Sequence, residues 1–486
     1  MTGKNMVYTC HSNEDRLRLL DAIGLGDIEE LFSAVPASLR RAPLELAAPL
    51  CEADVRRRLE SLAARNLPTH PASFLGAGCY RHFIPAAVRA ITSRSEFATA
   101  YTPYQAEVSQ GTLQHIFEFQ TAVCELTGLD VANASLYDGP SALAEAAFMA
   151  LRATKRDTIV VSEGVHPEAM EVLGTYAAGP GLPLHRLPVD ALTGRTVIGG
   201  LGARPQRSGA PVAESLGADA GVIVVQQPNF LGVIEDLSAL ASAAHAGEAL
   251  LVVMHNPMTL GVLPAPGSLG ADIVVGDVQV FGNAMSFGGP SAGFLSCRET
   301  HLRQIPGRLV GQTVDADGRV CYTLTLQARE QHIRRAKATS NICSNQALNA
   351  LAATVYLSLL GPVGLKELGE LCALRAHHLH SRLCSLPGME PLVDGPFFNE
   401  FAVRLPMHAG EFARAMRAFG VDPGVPLGRF GRPDSLLVAV TELNPAEELE
   451  RYVKAAAAVL AGEREPSGTG CRGETERRGG AAEKRA

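Results

Sequence analysis

Downstream of Leu113 the chain alternates helical segments with short, uniformly apolar runs, and few folds accommodate that alternation. The apolar runs at 158–162, 222–226, 250–255, 272–276 and 293–296 have the length of strands. Helical spacing fills stretches around them, through Gly128, at 141–152 and from Pro167. A strand apolar on both faces has to be covered on both, and strand–helix–strand crossovers run parallel, so the pattern predicts an α/β fold with a mostly parallel sheet. Ligands of such sheets sit beyond the carboxyl ends of the strands.

Around this core the sequence divides into a helical arm at 1–65, a large α/β domain at 66–325, a smaller α+β domain at 326–461 and a disordered tail at 462–486. In the arm, apolar positions three and four apart place helices at 15–24, 27–32 and 45–65, with Asn13 and Asp27 as N-caps. The C-terminal region reads as helices at 326–338, 345–360 and 365–383, strands at 397–405 and 436–441, and a helix at 445–460. The tail is rich in Gly, Glu and Arg and has nothing to bury.

The net charge of −7 argues against a nucleic-acid surface. No uninterrupted apolar run reaches membrane-spanning length and the first residues lack a signal-peptide core, so the expected compartment is the cytoplasm. The 10 cysteines include no Cys-x-x-Cys pair and read as reduced thiols. His377, His378 and His380 lie between Arg375 and Arg382, a solvated face rather than a metal site, and no metal is expected.

Chemistry concentrates at a stretch that lacks its expected residue. Gly270-Ala-Asp-Ile-Val-Val-Gly276 is a buried strand entering a Gly-rich turn that ends at Gly288-Gly-Pro290, the pattern of a loop that carries the Schiff-base lysine of a pyridoxal-phosphate enzyme. Counted back from Pro290, Gln279 stands at the lysine position, and an amide nitrogen is no nucleophile. The lysines are Lys4, Lys155, Lys337, Lys366, Lys454 and Lys484; only Lys337 sits where it could face a cleft, and a cation on a last helical turn explains it at least as well. The strand at 250–255 runs into Asn256 where an aspartate would hold the pyridine nitrogen, although Asn256 also reads as a polar strand end before Pro257. Tyr101, Tyr104, Gln105 and Glu107 form a polar cluster stiffened by Pro103, offering acid/base groups or merely packing aromatics. Ser135 and Ser141 flank a small-residue turn that opens a helix, a geometry that would present amides to a phosphate and that also serves an ordinary N-cap.

These runs, together with Phe74-Leu-Gly-Ala-Gly78, Gln227-Pro-Asn-Phe230, Lys337-Ala-Thr-Ser-Asn-Ile-Cys343 and Pro426-Leu-Gly-Arg-Phe430, occur in the order found in the N-terminal, or alpha, subunits of two-chain glycine dehydrogenases (decarboxylating), the P-proteins of the glycine cleavage system, which the chain resembles from about residue 6 to 460. The resemblance implies the type I pyridoxal-phosphate-dependent transferase (aspartate aminotransferase-like) fold and an α2β2 assembly in which the beta subunit carries the cofactor lysine and binds most of the pyridoxal phosphate. It implies decarboxylation of glycine and transfer of the aminomethyl group to the lipoyl arm of H-protein, with T-protein and L-protein as indirect partners. On that reading Tyr101, Tyr104, Gln105, Glu107, Lys337, Thr339, Ser340 and Asn341 contribute to the beta-chain site, and Ser135, Ser141 and Asn256 are vestiges of a cofactor site. Residues 1–5 read as an upstream extension and the tail as foreign to the family. Two other readings stay open: a self-sufficient pyridoxal-phosphate decarboxylase or aminotransferase using Lys337, and a non-catalytic scaffold for the lipoyl protein.

Overall fold

The computed structural model describes residues 11–40, 46–65, 72–198 and 219–463, in two units, 1–68 and 69–486. Residues 1–5 and the tail from 464 on lie outside the described residues.

A seven-stranded sheet organises the second unit: β1 Val131–Ala132, β2 Thr158–Ser162, β3 Leu184–Leu187, β4 Ala220–Gln227, β5 Leu250–His255, β6 Ile273–Asp277 and β7 Gly293–Cys297. The order is β1-β7-β6-β5-β4-β2-β3; the five strands from β6 to β3 are parallel, and β7 and β1 run against their neighbours. The inner strands are buried on both faces, as their unbroken Val/Ile/Leu runs require. One face is covered by helices Gly139–Thr154 and Pro167–Ala178, the other by Gln110–Thr127, Leu237–Ala246 and the first half of Ala347–Cys384. Helix Gln110–Thr127 stops because Gly128 turns left-handed at φ 68°.

A second sheet, of strands β8 Glu390–Pro391, β9 Glu400–Arg404, β10 Val425–Pro426 and β11 Ser435–Ala439 in the antiparallel order β8-β9-β11-β10, packs against helices Ala409–Ala418 and Ala446–Leu460 and the far half of Ala347–Cys384. The backbone of Ala347–Cys384 breaks at Gly361 (φ 61°, ψ −177°), just before Pro362, so the stretch is two helices, as the spacing at 345–360 and 365–383 implies. Its length and apolar composition would pass for a membrane span, but Ala350, Leu351, Tyr356, Cys372, Leu379 and Leu383 are buried in cores on both sides of the break.

Several expectations need correction. The helix expected at 326–338 is three short turns, Gln327–Arg329, Gln331–Arg334 and Arg335–Lys337, because Leu326 (φ 52°) and Arg335 (φ 53°) take left-handed φ values that interrupt it. The first helix of the arm, Asn13–Ala22, is capped by Ser12 rather than Asn13, in a capping box with Asp15, whereas Asp27 caps Ile28–Phe32 as expected. The third arm helix is Glu52–Ala63, shorter than 45–65. Helix Ala409–Ala418, edge strand β3 and the hairpin Val310–Val314/Val320–Leu324 were not anticipated.

Candidate active site

The carboxyl ends of β4, β5 and β6 face a cavity lined by Tyr80, Asn229, His255, Asn256, Asp277, Gln279, Asn399 and Glu400. Its position is the one the sheet topology prescribes for a ligand. Gln279 lies two residues beyond β6 and is 6% exposed. Its Oε1 accepts the Tyr80 N–H at 2.9 Å, and its Nε2 donates to the Tyr80 and Asn283 carbonyls, each at 3.0 Å. The amide thereby pins the 74–84 segment across the strand ends, a task that requires a donor and an acceptor on one side chain.

Tyr80 carries the network to the smaller sheet. Its hydroxyl donates to Glu400 Oε2 at 2.7 Å, and Ala77 N–H donates to Glu400 Oε1 at 2.6 Å. Two glycines admit this approach. A Cβ on Gly76 would meet Glu400 Oε1 at 2.2 Å, and one on Gly232 (φ 86°) would meet the Glu400 carbonyl oxygen at 2.0 Å. Burial pushes the Glu400 carboxyl up to about 7 against these hydrogen bonds, and holds the Tyr80 hydroxyl in its protonated form. His255 is pushed down to about 4 by burial and is neutral, with its ring nitrogen 2.9 Å from the Asn256 carbonyl. The Asn256 side chain accepts Met258 N–H at 3.2 Å and so caps the turn Pro257–Gly261.

The helix Gly139–Thr154 opens toward the same strand ends, where a phosphate would be received. Two carboxylates already hold that end: Asp138 Oδ1 accepts Ser141 N–H at 2.7 Å and Asp277 Oδ2 accepts Gly139 N–H at 3.1 Å. Asp277 also accepts from Gln279 N–H at 2.8 Å and from the Ser291 hydroxyl. Burial raises the Asp277 carboxyl, with these donors opposing the shift. Ser135 is fully buried and its hydroxyl accepts Gln346 N–H at 2.9 Å. The residues present do not fit pyridoxal phosphate: among the described residues no amine reaches the cavity, acidic groups stand where an anion would bind, and the free volume is about 60 Å3, well below the roughly 300 Å3 of a small-molecule pocket.

The other residues singled out in the sequence lie elsewhere. Tyr101, Tyr104, Gln105 and Glu107 are exposed, as is Lys337, while Thr339 and Ser340 are half-buried and Asn341 is exposed. Arg308, which the sequence did not single out, joins the two groups: its Nη2 donates to the Tyr104 hydroxyl at 3.1 Å and to the Cys343 carbonyl at 2.5 Å. The Ser340 hydroxyl accepts Ile342 N–H at 3.0 Å. A second loop presents hydrophobic surface, since Phe287 stands fully open in a run of left-handed residues from Ser286 (φ 44°) to Gly289 (φ 123°). Tyr80, Glu400 and Arg308 were missed because their partners are distant in sequence, and Asp277 because its acceptor role toward the Gly139 N–H shows only in the fold; only the glycines at 76 and 232 hinted at a close approach.

The family model of the glycine cleavage system P-protein matches residues 6–455. A probable glycine dehydrogenase (decarboxylating) subunit 1 of Exiguobacterium sibiricum is 50% identical over 453 residues, covering 92% of this chain and 98% of that protein. Its counterpart in Moorella thermoacetica is 48% identical over 459 residues, covering 94% and 100%. The inhibitor-bound crystal structure of a glycine decarboxylase (P-protein) of the glycine cleavage system superposes with a TM-score of 0.83 at 45% identity, covering 94% of this chain and 100% of that one. A sphingosine-1-phosphate lyase of Burkholderia pseudomallei, at 16% identity and a TM-score of 0.62, shares the fold.

Proposed function

Because the chain belongs to the glycine cleavage system P-protein family, we propose that it is the subunit of glycine decarboxylase that holds no cofactor lysine, completing a catalytic site carried by a second, homologous subunit. The enzyme is glycine dehydrogenase (decarboxylating), and it uses pyridoxal phosphate. The observation that carries the proposal is the Gln279 amide, whose donor and acceptor groups are all engaged where a Schiff-base lysine would stand.

In this reading the assembly is α2β2, works in the cytoplasm, and hands the aminomethyl group to the lipoyl arm of H-protein, with T-protein and L-protein acting later. Bound in the partner, pyridoxal phosphate supplies the electron sink for the bond to the departing carboxylate. This chain's residues act around it. The 101–111 loop brings the hydroxyls of Tyr101 and Tyr104, the Gln105 amide and the Glu107 carboxylate to the partner's site, where they orient glycine and exclude water. Residues 337–341 line the approach of the lipoyl arm, with Lys337 supplying a positive charge at its mouth. The helical arm is assigned to contact with the partner, and the large and smaller domains to the catalytic body of the subunit.

Borohydride reduction of the assembled enzyme, followed by peptide mapping, tests the assignment. The expected result is pyridoxyl label on one lysine of the second subunit and none on Lys155, Lys337, Lys366 or Lys454 of this chain. Label on Lys337 would establish a self-sufficient site instead.

A further inference from the structure

Arg308 is an unusual arginine: 3% exposed, on a loop, and in contact with segments far from it in sequence. Its backbone is fixed on the β1 side of the sheet, where Ala134 N–H donates to the Arg308 carbonyl at 2.9 Å and Asn133 Nδ2 to the Pro306 carbonyl at 3.0 Å. From this anchor the guanidinium lies 4.9 Å from the centre of the Tyr104 ring, donates to the Tyr104 hydroxyl, and donates to the Cys343 carbonyl. Glu330 balances its charge at 3.7 Å and also lies 3.6 Å from a ring nitrogen of His332, whose ring meets Tyr104 edge-on at 6.1 Å. Arg308 Nε and Nη1 and Glu330 Oε1 have no hydrogen-bond partner among the described residues. Burying such a pair for stability alone is a poor bargain, because desolvation cancels most of the attraction and apolar packing serves as well. A planar fork that must serve two acceptors in different segments is a task for which arginine is the suitable side chain.

We infer that Arg308 is a positioning residue for glycine decarboxylation, coupling the 101–111 loop to the 337–345 segment so that both present one preset surface to the partner subunit. The inference rests on the reading that these segments reach the partner's site. Arg308 touches no substrate; it acts through Tyr104 and the Cys343 carbonyl. A lysine there keeps the charge opposite Glu330 but cannot hold the ring face and both oxygens together.

Arg308→Lys in the full chain is the test, with two readouts. In hydrogen exchange on the chain alone, amides of 101–111 and of 337–345 are expected to exchange faster together, by about tenfold or more, with the sheet unchanged. In the enzyme assembled with its second subunit, kcat for glycine-dependent carbon dioxide release is expected to fall by about tenfold with KM and the assembly little changed. In a double-mutant cycle, Tyr104→Phe is expected to cost less on top of Arg308→Lys than it costs in the wild-type chain, because part of its effect runs through the guanidinium. Unchanged exchange, loosening of one segment only, or additive losses in the double variant would overturn the inference. If the wild-type pair releases no carbon dioxide, the functional reading falls, while the exchange result still decides whether Arg308 couples the two segments.

Discussion

Replacing Gln279 by lysine is expected to restore no cofactor binding and to lower stability by about 2–4 kcal/mol. The wild-type amide accepts Tyr80 N–H and donates to two carbonyls in a buried setting. An ammonium can serve the carbonyls but leaves Tyr80 N–H without an acceptor, and its charge has to be desolvated. Gln279→Leu removes donor and acceptor together, strands three backbone groups at about 1–3 kcal/mol each, and is expected to cost more than the lysine. Melting curves for both variants, with a pyridoxal phosphate titration followed in the visible range for the lysine, check this. A lysine variant that melts with the wild type and acquires a visible band would mean that the cavity lacks only its amine.

Glu400→Gln is the second large effect, and it should depend on pH. The Glu400 carboxyl has a folded-state value of about 7 against an ordinary 4.5, so the folded chain keeps a proton that the unfolded chain gives up. Stability from this group is therefore fully present below about 4.5 and is lost as pH rises to about 7, a span of roughly 3 kcal/mol at most. Glutamine keeps the acceptor for Ala77 N–H and reverses the bond to the Tyr80 hydroxyl, with no charge to bury. Denaturant midpoints at pH 5 and pH 8 should show the variant gaining on the wild type by about that amount at the higher pH. Slopes from Asp277, Glu145 and Glu235, whose carboxyls burial also raises, are common to both proteins and drop out of the comparison. A difference that is flat with pH would show that Glu400 is ionised in the fold.

What the sequence disclosed follows from how local each signal is. Strands β4, β5 and β6 were legible because a strand buried on both faces has no choice but an apolar run. Edge strand β3, with His185 and Arg186 at its centre, and the hairpin with Gln312 and Thr313 carry polar residues and hid among the loops. The break at Gly361-Pro362 showed as a gap in helical spacing, whereas Leu326 and Arg335 look helical by type and are bent by their surroundings. Gln279 stood out because its loop lacks a lysine. What its amide holds did not, since Tyr80 is 199 residues away, and Glu400 is 320 residues from Tyr80. Arg308 gave no sign at all, because nothing local marks an arginine as buried.

The measurement that bears most directly on the central claim is glycine-dependent carbon dioxide release with lipoylated H-protein, made on the chain alone and on the chain assembled with its lysine-bearing second subunit. No release above background is expected from the chain alone at any pyridoxal phosphate concentration, and turnover is expected from the pair. Full turnover from the chain alone would contradict the claim.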